Sequence, residues 1–201
     1  TEDFRYWWED VANNAELSPT GPPDELLVNG EPPKVEILDP LTVRYSWNKP
    51  NPFFLPRLAG AFPLYIYRPA HYLKQFHIKY ADKDKLAQMA AAANKHNWAA
   101  LHNSLDNMYA SNNPDLPSLD PWVVITRPPA DRFVAVRNPY FFRVDPEGHQ
   151  LPYIDKVYMV PASPQLIPAK TGAGESDLQA RGLDFSNFTF LLLMSTQYTI
   201  S

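Results

Sequence analysis

Cysteine is absent from the 201 residues, so no disulfide framework and no thiolate metal site is available, and the redox compartment is left open. A cationic excess is lacking too. The 18 Lys and Arg against 22 Asp and Glu leave a formal charge of −4, which argues against a phosphate-binding surface and against nucleic acid as a partner. No apolar run approaches the roughly 18 residues of a membrane span, and no secretory leader is visible. The histidines provide no metal-binding pair: His96 and His102 lie six apart rather than four, and no HExxH occurs, so neither a metal nor a cofactor is expected. Ser176 sits in GESDL, which lacks the second glycine of a nucleophile elbow. Residues 171–174, TGAG, complete neither a GxGxxG nor a P-loop and read as a plain turn.

Proline is plentiful, at 22 residues: too many for a helix bundle and too evenly scattered for a disordered tract. A chain of this length buries roughly 70% of its unfolded surface, enough for one domain with a small satellite. Thr1 is placed to cap a helix over residues 1–13, with Glu2 and Asp3 at its positive end and Phe4, Trp7, Trp8 and Val11 forming an apolar face. Residues 18–33 are a Pro/Gly surface loop. Val35 and Ile37, then Val43, Tyr45 and Trp47, alternate around Asp39-Pro40-Leu41-Thr42 and predict a hairpin. A short helix within 51–58, a brief strand at 64–67 and a helix opened by Pro69 follow.

Residues 82–96 carry Leu86, Met89, Ala90 and Ala93 on one helical face, and Trp98, Leu101, Leu105 and Met108 continue on a second helix after a break near Asn97. Together, 82–110 predict a helical hairpin. After a linker over 112–121, strands are predicted at 122–126, 133–137 and 154–160, then a turn at 173–178 leading into one more short strand. The apolar tail at 185–200 shows no cap. The expected architecture is mixed α+β, one mixed sheet of five strands with the helices of 1–13 and 82–109 outside it. No internal repeat is present.

Two groups of residues invite a functional reading. Glu175 and Asp177, two apart, would share a strand face and could act as the paired carboxylates of a glycosidase, although partnered structural carboxylates are the better reading. The aromatics include Tyr6, Trp7, Trp8, Trp47, Tyr65, Tyr67, Trp98, Trp122, Tyr140 and Tyr153. Most such rings fill cores, but Tyr and Trp also line clefts, where an apolar body with a polar tip accommodates several ligands.

The ordered words RFVAVRNPYFFRVDPEGHQLPYIDKV at 132–157 and AGESDLQAR at 173–181 closely resemble the extracellular solute-binding proteins of family 5, the binding components of ABC importers. The resemblance extends to TEDFRYWWE at 1–9 and to the hairpin over 34–47. It implies a mixed α/β, periplasmic-binding-protein-like lobe, with 1–201 as part of the first lobe of a longer two-lobed protein, 82–110 as a helical insertion in it and the second lobe outside this chain. It further implies capture of a peptide or similar small solute outside the cytoplasmic membrane, delivery to the transmembrane subunits of a permease, and no catalysed reaction. A lipid anchor on the full-length protein is compatible with it. Tyr6, Trp7 and Trp122 are the ligand-facing residues it suggests; Trp122 falls where many members carry Gly-x-Gly-Pro-Tyr, yet SLDPW here lacks the glycines. The alternative from residue chemistry alone is a secreted carbohydrate-active enzyme or carbohydrate-binding domain. A lone lobe is expected to self-associate.

Overall fold

The structure, a computed structural model, describes residues 1–197 except 61, 62, 109 and 111. Its core is helical. Helix α1 (Glu2–Arg5) runs without interruption into a π-helical stretch, Tyr6–Ala12, and the wider winding changes which side chains face inward. A regular helix would bury Phe4, Trp7, Trp8 and Val11. Here the buried set is Tyr6, Trp7, Asp10, Val11 and Ala12, with Phe4 and Trp8 only partly covered. Thr1 stands at the N-cap position but makes no side-chain capping bond. Asp3 instead reaches across, its Oδ1 accepting from the Ala70 N–H at 2.8 Å.

That contact ties α1 to α3 (Ala70–Leu73), which Pro69 opens as expected. Helices α4 (Lys83–Ala92) and α5 (Trp98–Leu105) form the expected hairpin. Each has a side-chain cap: Asp82 accepts from the Lys85 N–H at 2.9 Å, and Asn97 from the Ala100 N–H at 2.8 Å. Leu86, Ala90, Trp98, Ala99 and Leu101 share one buried cluster with Tyr6, Trp7, Leu26, Leu73 and Phe76, so this hairpin supplies the largest part of the core.

The mixed α+β class stands, but the strands do not join into one sheet. β1 (Lys34–Asp39) and β2 (Thr42–Ser46) form an antiparallel hairpin with an irregularity between Ile37 and Asp39. β3 (Trp122–Val124), β4 (Phe133–Arg137) and β5 (Lys156–Met159) form a second, wholly antiparallel sheet in sequence order. The strands are separate because the hairpin's apolar face has its own partners: Tyr45 and Trp47 pack on Phe54 of α2 (Phe54–Leu58), and the Trp47 indole donates to the Leu26 carbonyl at 2.7 Å. Residues 64–67 are irregular rather than a strand.

The C-terminal third also departs from expectation. A helix, α6 (Ile167–Gly172), precedes the 173–178 turn, and among the described residues no strand follows it. The apolar tail is capped after all, by a reciprocal box in which Asp184 and Asn187 bond each other's backbone, and it continues as α7 (Phe188–Gln197). Gly172 lets the two helices touch, since a Cβ there would lie 3.1 Å from both Phe190 Cε1 and Met194 Cγ. Among the described residues no helix is long and apolar enough to cross a membrane.

Candidate functional site

Two grooves open on the helical body and meet at Asn107 and Met108, just beyond the end of α5. The first, about 280 Å³, lies between the helical body and the three-stranded sheet. Its walls are Asn113, Leu116 and Asp120 on one side, and Trp122, Val124 and Ala135 on the other. The second, about 500 Å³, runs between the π-helical stretch and the 17–23 loop, with Trp7 and Val11 on one wall and Arg68, Asn103 and Asp106 on another. Pockets for small ligands combine an apolar lining with a few placed polar groups, and these two grooves have that character.

The structure separates the three ligand-facing residues suggested by the sequence. Trp122 is half-buried on β3 and walls the first groove, its indole N–H fixed by the Ile154 carbonyl at 2.9 Å. Trp7 is 3% exposed and lines the second groove. Tyr6 is fully covered, and its hydroxyl lies 2.7 Å from His102 Nε2 inside the core. Any role for Tyr6 toward a ligand is therefore one of support, through α5.

Behind the grooves lies a buried polar chain. His77 Nε2 lies 3.0 Å from the Asp10 carbonyl while its Nδ1 accepts from the Lys79 N–H at 3.1 Å, so Nε2 carries the proton and the ring is neutral. Desolvation holds the His77 pKa below its usual value, and burial together with the neighbouring His77 holds His102 at about 3. Asp10 is covered as well. Burial pushes its carboxyl up, but bonds from Lys79 Nζ at 2.7 Å and the Tyr80 hydroxyl, with Arg5 nearby, outweigh this and hold it below the ordinary carboxylate range.

The second groove contains the ion pair Arg68–Asp106, joining residues 38 apart in sequence. Arg68 Nε lies 2.8 Å from Asp106 Oδ2, to which it is directed, and 2.7 Å from Oδ1, which is left with no hydrogen bond of its own. The Asp106 side chain is 6% exposed. Burial raises its pKa to about 6, with Arg68 pulling the other way. Neither residue stood out in the sequence. One signal was available: Asp106 is the C-cap of α5, where a negative charge opposes the helix dipole and so points to a partner elsewhere.

Other candidate groups are dispersed. Glu175 is exposed and paired with Lys170 at 2.6 Å, on no strand with Asp177. Asp145, Glu147 and His149 cluster in the turn before Gln150, but Asp145 is engaged by the His149 backbone N–H at 2.8 Å and the Tyr153 hydroxyl at 2.5 Å, which makes the cluster a turn lock.

The grooves are thus walled by indole, carboxamide and a buried ion pair on an α+β body. The chain belongs to the bacterial extracellular solute-binding proteins, family 5, whose model matches residues 1–187. It is 28% identical over 161 residues to the periplasmic alpha-galactoside-binding protein of Rhizobium meliloti (strain 1021), a match covering 78% of this chain and 20% of that protein. Among solved structures it resembles the oligopeptide-binding protein OppA, with a TM-score of 0.81 and 35% identity over 97% of this chain and 30% of that one. The periplasmic binding protein MelB from Agrobacterium fabrum C58, solved with stachyose, shares the fold at a TM-score of 0.71 and 24% identity, over 99% of this chain and 27% of that one. The chain thus spans less than a third of the length of each of these relatives.

Proposed function

We propose that this chain is the greater part of the first lobe of the substrate-binding component of an ABC importer, residing in the periplasm or outside the cell. It captures a small solute, peptide or oligosaccharide, for delivery to the permease, and catalyses no reaction. The observation that supports this most directly is the meeting of the two grooves at Asn107 and Met108 in a chain of this family. One groove is flanked by Trp7 and the other by Trp122, the residues that the resemblance suggested from sequence. A second lobe closing over this face would exclude water and satisfy the grooves' polar groups from both sides. In this reading Trp122 and Trp7 wall the solute, and Tyr6 positions α5 from behind through His102.

The glycosidase reading has no support in the geometry, because Glu175 is paired to Lys170 on the surface. Native mass spectrometry of the two-lobed protein, released without refolding, tests the proposal. A co-purified solute at one per molecule is expected, with occupancy at least tenfold lower in Trp122→Ala. Failure to retain any solute, together with no rise in melting temperature across a panel of peptides and oligosaccharides, would overturn it.

A further inference from the structure

Asp120 is the one charged residue among the described lining of the first groove. Its backbone is occupied on both sides, the N–H donating to Ser118 Oγ at 3.0 Å and the carbonyl accepting from Asn138 Nδ2 at 2.9 Å. The half-buried carboxylate has neither a hydrogen bond nor an ion pair among the described residues. The cations of this region are committed elsewhere. Arg68 serves Asp106, Arg127 holds both oxygens of Asp115 at 2.7 Å, and Arg137, opposite Trp122 on the β-ladder, is turned to Asp155 at 3.5 Å. The Asp120 charge is felt at Tyr67, whose hydroxyl pKa is raised by burial first and by Asp120 second, with Arg68 acting the other way. A partly desolvated carboxylate left without a counter-charge costs free energy until a cation arrives.

The rest of the groove narrows what that cation is attached to. Asn113 and Ser118 are spent on the protein: Asn113 Nδ2 donates to the Leu105 carbonyl at 2.9 Å, its Oδ1 accepts from the Asp115 N–H at 3.3 Å, and Ser118 Oγ serves Asp120. Leu116, Val124, Ala135, Val157 and Met159 supply apolar walls, beside which a charge pair is screened less than in open water. Trp122 has given its N–H to Ile154, so what it has left for a ligand is its ring, and indole is the best aromatic partner of a cation. A neutral polyol would bond the carboxylate without neutralising it and would set further hydroxyls against aliphatic walls. A metal ion needs several oxygen ligands where one carboxylate is present. The groove, about 280 Å³, is just below the range of about 300 to 1,000 Å³ usual for whole small ligands, so it suits one end of a solute.

We infer that Asp120 and Trp122 form a subsite for an organic ammonium group carried on an apolar body, the rest of the solute running past Asn107 and Met108 into the second groove. This rests on the reading of the grooves as the solute-binding face. Asp120 is the specificity residue, selecting by charge.

The test uses the 201-residue chain labelled with 5-fluorotryptophan, its five fluorine resonances assigned by single Trp→Phe variants. Trialanine at tens of millimolar is expected to shift the Trp122 resonance and leave Trp47 unmoved, whereas N-acetyltrialanine and raffinose at the same concentration shift it at least tenfold less. Phenethylamine separates the two sources of an ammonium: a shift equal to that from trialanine assigns the subsite to amines in general, and a shift from trialanine alone assigns it to a peptide N-terminus. In Asp120→Asn, which keeps both backbone bonds, the trialanine dissociation constant should rise at least tenfold. N-acetyltrialanine or raffinose moving Trp122 as far as the ammonium compounds do, or farther, would overturn the ammonium inference and leave the solute-binding reading standing. No movement with any of the four would overturn both. An Asp120→Asn chain that binds trialanine as well as the parent would also overturn the inference. Should that variant fail to fold, the effect of acetylation on the unaltered chain still decides.

Discussion

A histidine ring with no exposed surface, as at His102, is kept neutral by its surroundings, and acid must force a charge into the core. The unfolded chain takes up protons from about pH 6.5 downward, whereas folded His102 does so only near 3. The stability contributed by the neutral ring is therefore complete above about 6.5 and is lost as pH falls toward 3, at about 1.4 kcal/mol per unit. Asp106 works against this. With its carboxyl raised to about 6 from 3.8, the folded state takes up that proton first and gains stability on acidification between those values. His102→Gln should remove the loss and keep the gain, so urea unfolding between pH 6.5 and 5 should show the parent losing about 2 kcal/mol more than the variant. Equal pH slopes would mean that His102 does not titrate this way. Arg68→Met leaves the Asp106 carboxylate buried and alone, which costs about 3 kcal/mol. That penalty should shrink at pH 5, where the carboxyl is protonated; an identical penalty at pH 7.5 and 5 would show that the pair contributes no charge interaction.

At the scale of the element, α4 and α5 were legible because their information is local: apolar side chains recur at helical spacing, and an acid or amide stands just before each helix. Asn97→Ala removes the α5 cap and should cost about 1 kcal/mol, roughly 2–4 °C in melting temperature for a chain of this size, with Asn97→Ser retaining most of it. A drop under half a degree would place the stability of α5 wholly in its packing. Gly172 is a separate case, since its constraint comes from α7. Gly172→Val should push on Phe190 and Met194 and raise amide exchange over 188–197 while leaving α4 and α5 protected; uniform exchange changes would mean that α6 and α7 unfold with the core. The π-helical stretch was not legible. Residues 1–12 satisfy a regular helical pattern, and only the core that accepts Tyr6 and Asp10 selects the wider winding.

For the molecule as a whole, the buried cluster is confined to the region before residue 117, whereas many large apolar side chains farther along stay exposed. Phe185 is 89% exposed and Leu193 64%, on or beside a helix whose only sizeable packing partner among the described elements is α6. Such a surface favours association. Light scattering of the chain by itself should show concentration-dependent oligomers, and Phe188→Ser with Leu193→Lys should shift them toward monomer; a monodisperse parent at 100 µM on the order of working concentrations for such patches would refute this. The same openness limits affinity. Under the proposed two-lobed reading, one wall by itself would forgo several kcal/mol of burial and hydrogen bonding, and each 1.4 kcal/mol is about tenfold, so a ligand micromolar for the two-lobed protein should bind this chain at millimolar.

The amino-acid sequence by itself determined the family, through ordered words that need no structure to be compared, and the α+β class, helical hairpin and antiparallel strand pairs, through periodicity and turn chemistry acting over a few residues. The tertiary structure alone decided that the strands divide into two sheets, the first hairpin's apolar face being taken up by Phe54. It also decided that Tyr6 belongs to the core and that Arg68 meets Asp106. Those outcomes depend on which distant groups compete for the same buried space and the same hydrogen bonds, and a pairing across 38 residues leaves no periodic trace in the chain that makes it.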